Sequence, residues 1–99
     1  MKVTISSLQF KADVKLEDFV REKVGKLSQL YEGVLGCDVV LRLDSASNNE
    51  NKIAEIRLLI PGNDLFAKKQ ARSFEEAIDN AVDAVRRQLK KHKEKVKGI

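Results

Sequence analysis

The 99-residue sequence predicts an α+β fold in the order β-α-β-β-β-α, a four-stranded, mostly antiparallel sheet with two helices packed on one face. Three observations predict it. Two long segments carry apolar residues at three- and four-residue spacing, the mark of a helix with one buried stripe. Four short segments rich in β-branched and apolar residues alternate with polar ones, and turn-forming residues separate them. Two amphipathic helices cannot bury their stripes alone, so both belong on one face of the sheet. A strand–helix–strand opening crosses over right-handed, which makes strands one and two parallel neighbours or near-neighbours.

Lys2-Val3-Thr4-Ile5-Ser6 alternates polar and apolar and reads as the first strand, with Leu8 and Phe10 continuing apolar contact into a short connection. Asp13 is the predicted N-cap of a helix running to about Tyr31. Its inward stripe is Leu16, Phe19, Val20, Val24, Leu27, Leu30 and Tyr31, while Arg21, Lys23 and Lys26 point elsewhere. Gly25 inside this helix costs about 1 kcal/mol of propensity relative to Ala. Glu32 to Gly36 ends it. Cys37–Leu43 is the second strand, with Val39, Leu41 and Leu43 on one side. Residues 45–51 are small and polar, a hairpin loop by composition. Lys52–Ile60 is the third strand, with Ala54, Ile56, Leu58 and Ile60 inward and Glu55 and Arg57 outward. Pro61-Gly62-Asn63-Asp64 is a turn by residue chemistry, and the fourth strand runs from Asp64 to Ala71.

The last helix, Ser73 to Lys97, has the strongest local signals. Ser73 and Glu76 fit the N-cap and N3 positions of a capping box. At about 24 residues it would be roughly 36 Å long. Phe74, Ala77, Ile78, Ala81, Val82, Val85, Leu89 and Val96 share one face. Acids (Glu75, Glu76, Asp79, Asp83) crowd the first turns and cations the last, which suits the helix dipole at both ends.

The cations exceed what a dipole uses. Residues 86–97 hold seven Lys or Arg against one Glu, a net +6 in a chain whose total is +4, so the remaining body is mildly acidic at −2. On a wheel of ~100° per residue with Phe74 at zero, Arg86, Arg87, Lys90, Lys91, Lys93 and Lys97 fall opposite the core stripe. Lys23 and Lys26 on the first helix, and Lys68 on the fourth strand, extend that surface if the helices lie side by side. A clustered field of this kind suits phosphate backbones, and no base-reading groups accompany it. Structured RNA is the leading partner.

Other chemistries find little support. The length suits one domain, residues 1–99. No apolar run approaches the ~18 residues of a membrane span, and no N-terminal pattern suggests a signal peptide, so no membrane partner and a cytoplasmic location are expected. Cys37, the single cysteine, has no partner thiol and begins an apolar strand, which makes it a core residue. His92, the single histidine, has no nucleophile paired with it in sequence and lies within the basic cluster or at the margin of the stripe. Glu17, Asp18 and Glu22 form a solvated helix face. Metal-ligand spacing, a P-loop and a dinucleotide glycine pattern are all missing from the sequence, which points to no catalytic residues, no cofactor, no metal and no small-molecule substrate. Gly33-Val34-Leu35-Gly36 has the spacing of a KH-type GxxG loop, but it precedes a strand instead of joining two helices. Lys68-Lys69-Gln70-Ala71-Arg72 partly resembles the basic motif of double-stranded-RNA-binding domains, although here it precedes the helix.

The whole chain resembles the short ribosome-hibernation-promoting factors, a bacterial family that includes the ribosome-associated translation inhibitor and was once named for sigma-54 modulation. The residues that carry the resemblance are Asp18-Phe19-Val20 with Glu22-Lys23, Ile53-Ala54-Glu55, Pro61-Gly62 followed by Leu65-Phe66-Ala67-Lys68, Ala77-Ile78-Asp79 and, above all, Arg87 through Lys95. The resemblance implies a β-α-β-β-β-α fold similar to a double-stranded-RNA-binding domain with an added first strand. It implies binding to the small ribosomal subunit and its rRNA in the channel for messenger and transfer RNA. There it would inhibit translation and preserve idle ribosomes in stationary phase or stress. By position, the rRNA-facing set would be Lys23, Lys26, Lys68, Arg87, Lys90, Lys91 and Lys93. A chain ending at Ile99 resembles the short class, without the dimerisation domain of long members. Arg86, Lys69 and Gly25 depart from the family pattern. The alternatives are a protein-interaction modulator of sigma-54 transcription, acting through the exposed sheet face, and a generic double-stranded-RNA-binding module.

Overall fold

The computed structural model describes residues 1–45 and 49–97, and side chains as far as Lys95. Residues 46–48 of the predicted hairpin loop, the side chain of Val96 and that of Lys97 lie outside the described residues. The elements follow the predicted order: β1 (Lys2–Leu8), α1 (Val14–Ser28), β2 (Gly36–Leu43), β3 (Lys52–Ile60), β4 (Asn63–Ala71) and α2 (Phe74–Lys97). They form one four-stranded sheet in the spatial order β1-β2-β3-β4. β1 runs parallel to β2, and the β2–β3 and β3–β4 pairs are antiparallel.

Both helices cover the same face. α2 lies against β3 and β4, and α1 packs beside α2 and toward β1. The inward residues of the strands (Cys37, Val39, Leu41, Ala54, Ile56, Leu58, Ile60, Leu65, Ala67 and Ala71) meet Val20, Val24 and Leu27 of α1 and Ala77, Ile78, Ala81, Val85 and Leu89 of α2 in one core. Phe10 and Phe74 stack with centroids 4.5 Å apart, so the β1–α1 connection is tied to the start of α2.

Several boundaries differ from expectation, each for a local reason. β1 continues to Leu8 because Ser7 and Leu8 find partners at Leu41 and Arg42 of β2. α1 stops at Ser28, not Tyr31. The Ser28 hydroxyl donates to the Gly25 carbonyl (2.8 Å), and the amides of Gln29 and Leu30 turn to carbonyls three residues back, tightening the last turn. Leu30 and Tyr31 still pack on the core from outside the helix. β2 begins at Gly36, which pairs with both Lys2 and Leu59; a Cβ there would approach the Lys2 carbonyl oxygen to 3.2 Å. The β3–β4 turn is shorter than predicted. Ile60 pairs with Asn63, so only Pro61 and Gly62 lie in the turn, with Gly62 at φ +80°, the positive value that the third position of a type II turn requires.

Candidate nucleic-acid interface

α2 can present a charged ridge because its opposite face is locked. Ala77, Ile78, Ala81, Val85 and Leu89 are fully buried, and the Ser73 hydroxyl accepts the Glu76 amide at 3.1 Å to start the helix. Asp13 starts α1 in the same way, accepting the Leu16 amide at 2.8 Å. With the core stripe down, Arg86, Arg87, Lys90, Lys91 and Lys95 are exposed.

The helices run side by side in the same direction, and three contacts along their length show it. Near the start of α2, Lys23 pairs with Asp79 at 3.2 Å; Lys23 also lies 5.3 Å from the Phe19 ring centroid. In the middle, Lys23, Lys26, Leu27, Asp79, Val82, Asp83 and Arg86 line a shallow groove. At the far end, the Lys93 ammonium donates to the Leu30 carbonyl (3.0 Å), while His92 meets Tyr31 edge-on at 5.5 Å. Lys93 thus satisfies a carbonyl just past the end of α1, where the helix dipole is negative. His92 acts as a packing residue joining the two helix ends.

Asp83 organises the two arginines. Its carboxylate oxygens accept from Arg86 (2.7 Å) and from Arg87 (2.5 Å), and these guanidiniums hold its pKa below the ordinary carboxylate range. Each guanidinium keeps further N–H donors for other partners. On the other flank of α2, Lys69 of β4 joins Ala84, Arg87, Gln88 and Lys91 around a second, shallow notch. Gln88 donates to the Phe66 carbonyl at 2.9 Å, which covers an open position on the β4 edge and fixes the helix against it.

The seven predicted contact residues therefore divide. Arg87, Lys90 and Lys91 stand together and exposed on the ridge. Lys26 is exposed beside them on α1, whereas Lys23 is engaged with Asp79 and Lys93 with Leu30. Lys68 is placed elsewhere. It lies opposite Glu55 in the register and, with Phe66 and Gln70, faces away from the helices, so it does not extend the helical surface. Two ion pairs offset charge on that outer sheet face: Arg42 bonds Glu55 at 2.8 Å, and Arg57 lies 3.8 Å from Asp64 and 5.0 Å from the Phe66 ring. The β4 lysine that reaches the α2 cations is Lys69, a member of the Lys68–Arg72 basic run that lies outside the predicted contact set. The signal for it was present. Leu65, Ala67 and Ala71 are inward, and Lys69 shares their period of two.

Among the described residues no group of three or more His, Cys, Asp or Glu side chains is placed to hold a metal ion, and no helix is long and apolar enough to cross a membrane. Cys37 is fully buried.

The chain is thus a two-layer α+β sandwich in which one helix is anchored by its apolar face and cationic on the other. Residues 3–97 match the family described as sigma 54 modulation protein / S30EA ribosomal protein, and the chain belongs to that family, which is non-enzymatic. It is 29% identical to the ribosome hibernation promoting factor of Pseudomonas putida over 100% of this chain and 93% of that protein. Its identity to the ribosome hibernation promoting factor of Escherichia coli K12 is 28%, over 98% of each chain. Among solved structures, the N-terminal domain of Thermus thermophilus Protein Y superimposes with a TM-score of 0.80 at 26% identity, covering 93% of this chain and 99% of that one. A ribosomal subunit interface protein from Coxiella burnetii shares the fold, with a TM-score of 0.81 at 15% identity over 94% of this chain and 98% of that one.

Proposed function

We propose that this protein is a ribosome hibernation factor. It binds the small ribosomal subunit in the messenger and transfer-RNA channel, inhibits translation there and preserves idle ribosomes in stationary phase or stress. The observation that carries the reading is the exposed ridge of Arg86, Arg87, Lys90 and Lys91 on a helix whose other face is fully buried, in a chain whose relatives are named as ribosome hibernation promoting factors. A rigid cationic helix lays a row of charges along an RNA backbone, which suits recognition by shape and phosphate. On this reading residues 1–99 act as one ribosome-binding domain in the cytoplasm. Arg87, Lys90 and Lys91 make the central rRNA contacts; Lys23, Lys26, Lys68 and Lys93 take lesser parts.

Replacing Lys90 and Lys91 together with Glu tests this. Both side chains are exposed, so the thermal transition should stay close to that of the parent protein while co-sedimentation with small subunits is lost. Retention of parental affinity by that variant would refute the proposal. Equal binding of the parent protein to an arbitrary RNA duplex would favour a generic duplex-binding module instead.

A further inference from the structure

The two flanks of α2 differ in a way that total charge conceals. The groove toward α1 has three cations, Lys23, Lys26 and Arg86, but also two carboxylates, Asp79 and Asp83. Lys23 is already paired with Asp79 at 3.2 Å and Arg86 with Asp83 at 2.7 Å. A phosphate entering this groove must displace or approach internal anions. The notch toward the β4 edge, of about 260 Å³, is lined by Lys69, Ala84, Arg87, Gln88 and Lys91 and by no carboxylate; Arg87 shares Asp83 with Arg86 from across the helix crest (2.5 Å), so the contrast with the groove rests on Lys69 and Lys91.

We infer that the notch between the β4 edge and α2, formed by Lys69, Arg87 and Lys91, is the principal seat for a backbone phosphodiester of RNA, ahead of the groove between the helices. The inference rests on the ribosomal-RNA reading above and specifies where that surface grips its partner.

The geometry is preorganised. Lys69 lies opposite Ala54, whose side chain is fully buried under α2, so the Lys69 stem leaves the sheet on the helix side and emerges past the helix at the edge strand. The Gln88–Phe66 bond (2.9 Å) fixes α2 on that edge, which sets the position of Arg87 and Lys91 relative to Lys69. Ala84 adds little bulk between them. Arg87 is oriented by Asp83 on the far side of the helix crest, leaving its other N–H donors for an anion. The fold thus sets the backbone positions of all three cations and the orientation of Arg87, while the exposed Lys69 and Lys91 side chains order on binding.

The test compares K69Q with K15Q, a control that removes one exposed charge outside both flanks. Affinity for purified small ribosomal subunits, and separately for a short RNA duplex, is measured as a function of salt. Each phosphate contact contributes about 0.7–0.9 to the slope of log K against log salt, so at about 0.1 M salt one contact is worth roughly sixfold. K69Q should lose about that factor and flatten the slope by about one contact, and should weaken binding more than K23Q does. Binding by K69Q equal to that of K15Q, or a larger loss in K23Q than in K69Q, overturns the inference while leaving the ribosomal reading intact. If the parent protein does not bind subunits at all, that reading falls, and the duplex measurement decides the notch alone by the same comparison.

Discussion

At the scale of single residues, the structure separates groups that look alike in composition. Cys37 is enclosed between the sheet and the helices, and its thiol is pushed up to about 12, first by burial and then by the neighbouring Asp38 carboxylate. An unfolded cysteine titrates near about 8.5. Folding therefore favours the protonated thiol. The associated stability is fully present below about pH 8.5 and is lost as the pH rises toward the folded value of about 12. Stability measured by urea denaturation should decline more steeply above about pH 9 in the parent than in Cys37→Ala, and native Cys37 should resist a thiol reagent until the chain unfolds. The lysines divide by neighbours in the same manner. Lys23 and Lys93 have protein partners, and Lys69 does not meet a carboxylate in its notch.

Individual elements were readable from local chemistry where a local cause fixes them. Ser73 and Asp13 cap the helices they were predicted to cap, because a side-chain oxygen three residues before an orphan amide needs no distant partner. The ends of α1 and β1 were less readable, since Leu30 and Tyr31 keep their apolar contacts without helical geometry, and Ser7 and Leu8 are strand only because β2 lies alongside. Two glycines give opposite predictions. Gly25 is inside α1, and a Cβ there would meet nothing within 4 Å; Gly25→Ala should raise stability by about 0.5–1 kcal/mol. Gly62 is equally open, but its φ of +80° is strained for any residue with a Cβ, so Gly62→Ala should cost about 1–2 kcal/mol. Denaturant midpoints of the two variants, measured under identical conditions, should move in opposite directions.

At the scale of the molecule, the charge is divided between a basic helix end, net +6 over residues 86–97, and a body of net −2. The Arg42–Glu55 and Arg57–Asp64 pairs offset charge on the outer sheet face, whereas Lys90 and Lys91 on the helical side are exposed beside Arg86 and Arg87. Such a molecule should associate in one orientation and lose its partner steeply with salt. With about five phosphate contacts, log K for small subunits should fall with log salt at a slope near −4. Sedimentation across a salt series checks this, and a slope near zero would point to a protein surface as the partner.

The order of elements, the caps, the two buried stripes and the basic end of α2 were all determined within the sequence, because each depends on residues within a few turns of one another. The family, too, was carried by short runs such as Arg87 through Lys95 and is the one that residues 3–97 match. The placement of the cations against other elements came from folding. Lys68 and Lys69 are adjacent in the chain, yet strand geometry sends them to opposite faces, and α2 covers only one. Asp79 meets Lys23, and Leu30 meets Lys93, only because the two helices lie side by side in one direction on the sheet. Charge can be counted along a chain, but whether a cation is free or neutralised depends on residues brought within a few ångströms by non-local packing.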